Sequence, residues 1–82
     1  IEKQTRGKKE KILSVWQGIV GKDASSHSRP VSIKRDVLTV EVDSSAWLYS
    51  LNLKKKSILK DINSRLGEEK IEDIRFRMGE IT

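Results

Sequence analysis

The sequence predicts a two-layer α+β sandwich of order α-β-β-α-β, in which two helices cover one face of a three-stranded sheet. Two stretches carry apolar residues at helical spacing, and three carry them at alternating positions. Each alternating stretch supplies a single apolar face. A sheet of that kind must bury one side, and the two amphipathic helices are what the chain has to cover it.

The first helix is read from Lys8 to Gly21. Stepped at about 100° per residue, Ile12, Leu13, Val15, Trp16, Ile19 and Val20 fall within an arc of roughly 160°. Gly21 stands where a C-terminal cap belongs, and Lys22 to Pro30 reads as a polar, serine-containing connector. Val31 and Ile33 then alternate with Ser32 and Lys34. Beyond Arg35-Asp36, Leu38, Val40 and Val42 alternate with Thr39 and Glu41, which makes a hairpin. Ser44-Ser45 offers hydroxyl acceptors to the free N–H groups that open a second helix.

The apolar stripe of the second helix is Trp47, Leu48, Leu51, Ile58, Leu59, Ile62 and Leu66, and Gly67 ends it. Lys55 points into the middle of that stripe. Either the helix breaks around Asn52 to Lys55, or the aliphatic stem of Lys55 lies over the core with its ammonium in water. After Glu68-Glu69, Ile74, Phe76 and Met78 alternate with Arg75 and Arg77 as a third strand. The uncovered face of the sheet should carry Ser32, Lys34, Thr39, Glu41, Arg75 and Arg77. Residues 8–78 are expected to form one domain, with flexible termini at 1–7 and 79–82.

Composition narrows the function. Eighty-two residues allow one small domain, and 35% apolar with 35% charged residues fits neither a disordered tail nor a membrane protein. Seventeen Lys+Arg against 12 Asp+Glu give a net charge of +5, which favours a polyanionic partner. The absence of cysteine excludes disulfides, thiolate zinc sites, iron–sulfur clusters and cysteine nucleophiles. There is no apolar run of about 18 residues and no signal-peptide core, so a cytoplasmic location and no membrane partner are expected. The chain opens on Ile1 rather than Met, which suggests a trimmed start.

Catalytic chemistry finds no anchor. His27 is the single histidine, expected to bond backbone or cap a helix, and the carboxylates of Glu68-Glu69 and Glu72-Asp73 are expected to solvate a turn. Gly18-Ile19-Val20-Gly21 has the Gly-x-x-Gly spelling of the KH-domain loop that clamps single-stranded nucleic acid. Ile19 and Val20 continue the buried stripe, however, so a helix end is the reading kept. Trp16 and Trp47 lie in apolar stripes and are assigned to the core. No catalytic residue, metal ligand or cofactor is assigned, and a non-enzymatic role is expected.

The second helix is the most informative surface. It carries Lys54, Lys55, Lys56, Lys60 and Arg65 against Asp61 alone, a local net of +4. On a continuous helix Tyr49, Leu53, Lys56 and Lys60 would lie opposite the core. Lysines neutralise phosphates, and a ring can stack on a base for roughly 1–3 kcal/mol, so the pattern suits single-stranded nucleic acid. Lys54, Lys56, Lys60 and Arg65 are the candidate phosphate contacts and Tyr49 the candidate stacking group. Arg75 and Arg77 join them if the fold puts them on the same side. An RNA-binding module and an adaptor docking an acidic protein are the alternatives.

Several runs also resemble a known family. They are Trp16-x-x-Ile19-Val20-Gly21, His27-Ser28-x-Pro30, Leu38-Thr39-Val40-x-Val42-x-Ser44-Ser45-Ala46-Trp47-x-x-x-Leu51, Ile58-Leu59-x-x-Ile62-Asn63 and Ile74-Arg75-Phe76. Together they resemble the DciA family, long catalogued as a bacterial domain of unknown function, over about Lys8 to Met78. The resemblance implies a KH-like domain that binds DNA, preferentially with single-stranded character, and engages the replicative helicase to help load it without being an ATPase. Many members have Gly at the hairpin turn where Asp36-Val37 stands here, and longer members carry a flexible C-terminal extension.

Overall fold

A computed structural model describes residues 3–67 and 70–79. Along them run α1 (Lys3–Val20), α2 (Lys22–Ser26), β1 (Ser28–Lys34), β2 (Val37–Val42), α3 (Ser45–Leu53), α4 (Lys55–Leu66) and β3 (Asp73–Met78). The sheet order is β1-β2-β3, with β2 antiparallel to β1 and parallel to β3. Parallel neighbours require a long crossover, and α3 with α4 supplies it. Leu38, Val40, Val42 and Ile74 on one face of the sheet share a single core with Ile12, Trp16, Ala24, Leu51, Ile58, Ile62 and Leu66 of the helices. The expected α+β class holds, and the element order is consistent with a KH-like α-β-β-α-β domain. Glu68-Glu69 and, of the termini expected to be flexible, residues 1–2 and 80–82 lie outside the described residues, while α1 begins at Lys3 rather than near Lys8.

One expectation, about the connector, is corrected. The polar connector contains α2, and β1 begins at Ser28 rather than near Val31. Ser28 is buried because its polar atoms are satisfied internally: its hydroxyl donates to the Ala24 carbonyl at 2.7 Å and accepts from the Trp16 indole N–H at 3.0 Å. Of the two alternatives for the second helix, the break is the one observed: it is two helices, hinged at Lys54 (φ −101°, ψ 13°). The Lys54 N–H bonds the Leu51 carbonyl at 3.1 Å, while its own carbonyl accepts from Ile58 N–H at 2.9 Å, so one residue closes α3 and opens α4.

Unbroken, the helix would lay the stem of Lys55 over the core. With the break, α3 rests on β2 and β3 while α4 turns to pack against α1. Lys55 is half-buried, and its ammonium reaches the Asp73 carboxylate at 3.1 Å. The break is therefore the alternative that holds, and the ammonium ends on a carboxylate rather than in water.

Two further devices fix the end of the sheet nearest this hinge. Arg35 and Asp36 both take positive φ (51° and 64°), the left-handed pair that a two-residue hairpin turn demands. Asn63 of α4 holds the approach to β3, donating from Nδ2 to the Ile71 carbonyl at 2.9 Å and accepting from the Ile71 N–H at 2.7 Å. The Glu72 N–H then bonds the Asp36 carbonyl at 2.7 Å and sets β3 beside the turn.

Candidate nucleic-acid interface

The sequence motifs that resembled chemistry are structural here. The Gly18 to Gly21 run ends α1: Gly21 takes φ +98° between α1 and α2, and Ile19 and Val20 pack against the core. His27 caps α2 through its backbone N–H. Its ring stacks on Trp47 with centroids 5.6 Å apart, and Nδ1 meets the Asp43 carboxylate at 3.1 Å. These contacts tie the start of β1 to the end of β2 and to α3. Trp16 is buried and Trp47 half-buried, so each anchors its helix as expected. Asp73 has its carboxyl held below its ordinary value by the Ile74 backbone N–H and then by Lys55, the opposite of what a general acid needs.

The candidate cations divide into groups. Lys56 and Lys60, one turn apart on α4, form an exposed stripe. Lys60 and Arg65 are five residues apart, which places them about 140° apart around the helix. Arg65 is instead one turn from Asp61. Lys54 shares with Asp61 a groove of about 100 Å³, floored by Ile19, Trp47, Leu51 and Ile58. An acid thus accompanies Lys54 and Arg65, and none lies on the Lys56–Lys60 stripe. Tyr49 and Leu53, each 69% exposed and one turn apart, occupy the outer side of α3. The hinge puts this apolar pair on a different helix from Lys56 and Lys60, so the continuous face read from the sequence is divided between two helices.

Arg75 and Arg77 stand apart from all of these. Pairing of Thr39 with Arg75 and of Glu41 with Arg77 places both on the sheet face that the helices leave open, with the core between them and α4. Ser32, Lys34, Thr39 and Glu41 share that face, as the alternation predicts. Arg77 donates from Nη2 to Glu41 Oε2 at 2.9 Å.

Arg29 is the residue that sequence reasoning missed. Simple alternation from Val31 and Ile33 would turn it toward the core. A shift in pairing between Pro30 and Ser32 reverses that parity and sets Arg29 opposite Glu41 on the open face.

Among the described residues, no group of three or more His, Cys, Asp or Glu is placed to hold a metal ion, and no helix is long and apolar enough to cross a membrane. The fold and its surfaces define a small α+β domain whose distinguishing chemistry is exposed cations around a helix hinge and on a bare sheet face. The sequence model of one family, described as "Dna[CI] antecedent, DciA", matches residues 2–76, and the chain belongs to that DciA family. The family is associated with loading of the replicative helicase.

Relatives include UPF0232 proteins of three bacteria. That of Rhodococcus jostii is 28% identical over 79% of this chain and 35% of its own length. That of Mycobacterium tuberculosis is 27% identical over the same shares. That of Corynebacterium glutamicum is 31% identical over 79% of this chain and 36% of its own length. The chain thus spans about a third of the length of these curated relatives.

Proposed function

We propose that the chain is a non-enzymatic, cytoplasmic DNA-binding domain that holds DNA of single-stranded character and assists loading of the replicative helicase. The observation that carries this reading is the exposed Lys56–Lys60 stripe on α4, the helix that follows α3 with its exposed Tyr49 and Leu53. The two lysines neutralise phosphates and release condensed counterions, and the Tyr49 ring stacks on an unpaired base. Lys54 and Arg65 add attraction at longer range, partly offset by Asp61. Membership of a family associated with the replicative helicase supports the helicase as partner. In this role the domain keeps a strand near the helicase ring, and chemistry is left to the helicase.

The test is fluorescence anisotropy of a single-stranded oligonucleotide against the chain and its K56E/K60E variant across a salt series. The variant should bind about tenfold or more weakly at low salt. Its salt slope should be shallower by about 0.7 for each phosphate that is no longer neutralised. Unchanged affinity at low salt would remove the assignment.

A further inference from the structure

We propose that the open face of the sheet is a second, separate binding site, which takes the phosphate backbone of double-stranded DNA. The pairing registers lay three rows across this face: Arg29–Glu41–Arg77, Ser32–Thr39–Arg75 and Lys34–Val37–Asp73. With strands about 4.8 Å apart and same-face residues about 6.7 Å apart along a strand, the four cations spread over a patch of roughly 10 by 13 Å. All four cations are exposed.

The acids on the face are already engaged. Glu41 is bonded to Arg77, and Asp73 is bonded to Lys55 of the helical layer. Arg29 and Lys34 have no ion-pair partner among the described residues, so their charge faces outward. Ser32 and Thr39 add hydroxyls at the centre, donors suited to phosphate oxygens.

What the face lacks decides which nucleic acid it takes. Among the described residues its rows hold no aromatic ring, and Val37 is their single apolar side chain. The bases of a single strand would find no aromatic ring there, only guanidinium planes whose charge a phosphate also claims. A duplex keeps its bases stacked inside and presents phosphates alone, which is what cations and hydroxyls can read. The surface with Tyr49 and Leu53 has the opposite character.

Because the core separates the two layers, a duplex on the sheet face does not cover the helical surface, and both ligands can be held at once. The duplex site stands on its own geometry. Simultaneous binding rests on the single-strand reading above.

Glu41 restrains this site. It pairs with Arg77 and lies against Gly79, where an added Cβ would come within 2.7 Å of its carboxyl carbon. Removing the charge frees Arg77 for phosphate without emptying the space.

The experiment measures binding of a labelled hairpin duplex and of a labelled single strand to the full chain and three variants, R29E/K34E, E41Q and K56E/K60E. R29Q/K34Q serves as the milder open-face change, and a far-UV circular dichroism melt checks each fold. R29E/K34E should weaken duplex binding about tenfold or more, lower its salt slope by roughly 0.9 for each phosphate left without a cation, and leave single-strand affinity unchanged. R29Q/K34Q should weaken it in the same direction by less. E41Q should tighten duplex binding several-fold. Unlabelled duplex should not displace labelled single strand.

Unchanged duplex affinity in both open-face variants, or no duplex binding by the unaltered chain, would overturn the proposal, and full competition between the two ligands would overturn its separateness from the single-strand site. If K56E/K60E keeps its single-strand affinity while R29E/K34E loses duplex, the single-strand reading fails and the duplex site stands.

Discussion

Lys55 shows how one side chain settles the course of the backbone. Apolar residues on both sides of it share one helical phase, so a continuous helix would have to lay its stem over the core and bring its ammonium back out to water. The chain breaks the helix one residue earlier instead and gives the charge a partner. That partner, Asp73, carries the expected electrostatic signature: its carboxyl lies below the ordinary 3.8, through the Ile74 N–H first and Lys55 second. A folded-state pKa lowered in this way contributes stability that is fully present above about 3.8 and is lost as pH falls through the lowered value. Both partners are partly exposed, so the contribution is modest. Asp73→Asn should therefore lower the urea midpoint slightly at neutral pH, and its gap to the unaltered chain should close as pH drops below about 3.8. A gap that stays constant into acid would mean that Asp73 does not titrate as assigned.

At the scale of elements, the hairpin between β1 and β2 is the least suited to its own sequence. Its two central residues need positive φ, and Arg35 is a poor occupant of that region, where Asn is much better tolerated. Arg35→Asn should raise stability by about 0.5–1 kcal/mol, seen as a higher urea midpoint at unchanged slope. An unchanged or lower midpoint would mean that the turn holds no strain for Asn to relieve.

The elements legible in the sequence were those whose signals are local. Gly21 and Gly67 end helices in positive φ, and the Ser44 hydroxyl accepts the Trp47 N–H at 3.2 Å. Two features escaped: Ser28 is buried because Trp16 and Ala24 satisfy its hydroxyl, and α2 lies hidden among polar residues. The break at Lys54 was legible only as one of two alternatives, because it contains neither Gly nor Pro. The candidate site divides the same way. Its cations could be named from the sequence, but their grouping follows from the angle between Lys60 and Arg65, from the pairing shift that exposes Arg29, and from two layers that part Arg75 and Arg77 from α4.

For the whole molecule, the broken helix raises the question of whether the helical layer can open piece by piece. The packing argues against it. Every helix contributes to one core over one sheet face, α3 reaching β2 and β3 while α4 reaches α1. Releasing either half exposes residues that the other half also covers, so no subset keeps a closed core of its own, and all-or-none unfolding is expected of a domain this small. The two tryptophans sit where they can test this. Trp16 reports on α1 and β1 through its bond to Ser28, and Trp47 reports on α3 through its stack on His27. In the single-tryptophan variants W47F and W16F, fluorescence and far-UV helix signal should therefore share one urea midpoint within each protein. The slope should be about 1 kcal/mol/M, the lower end of the range for small domains. A W16F protein whose remaining Trp47 loses its native fluorescence before the helix signal falls would show that α3 detaches alone, and the hinge at Lys54 would then be a boundary between two folding units rather than a bend within one.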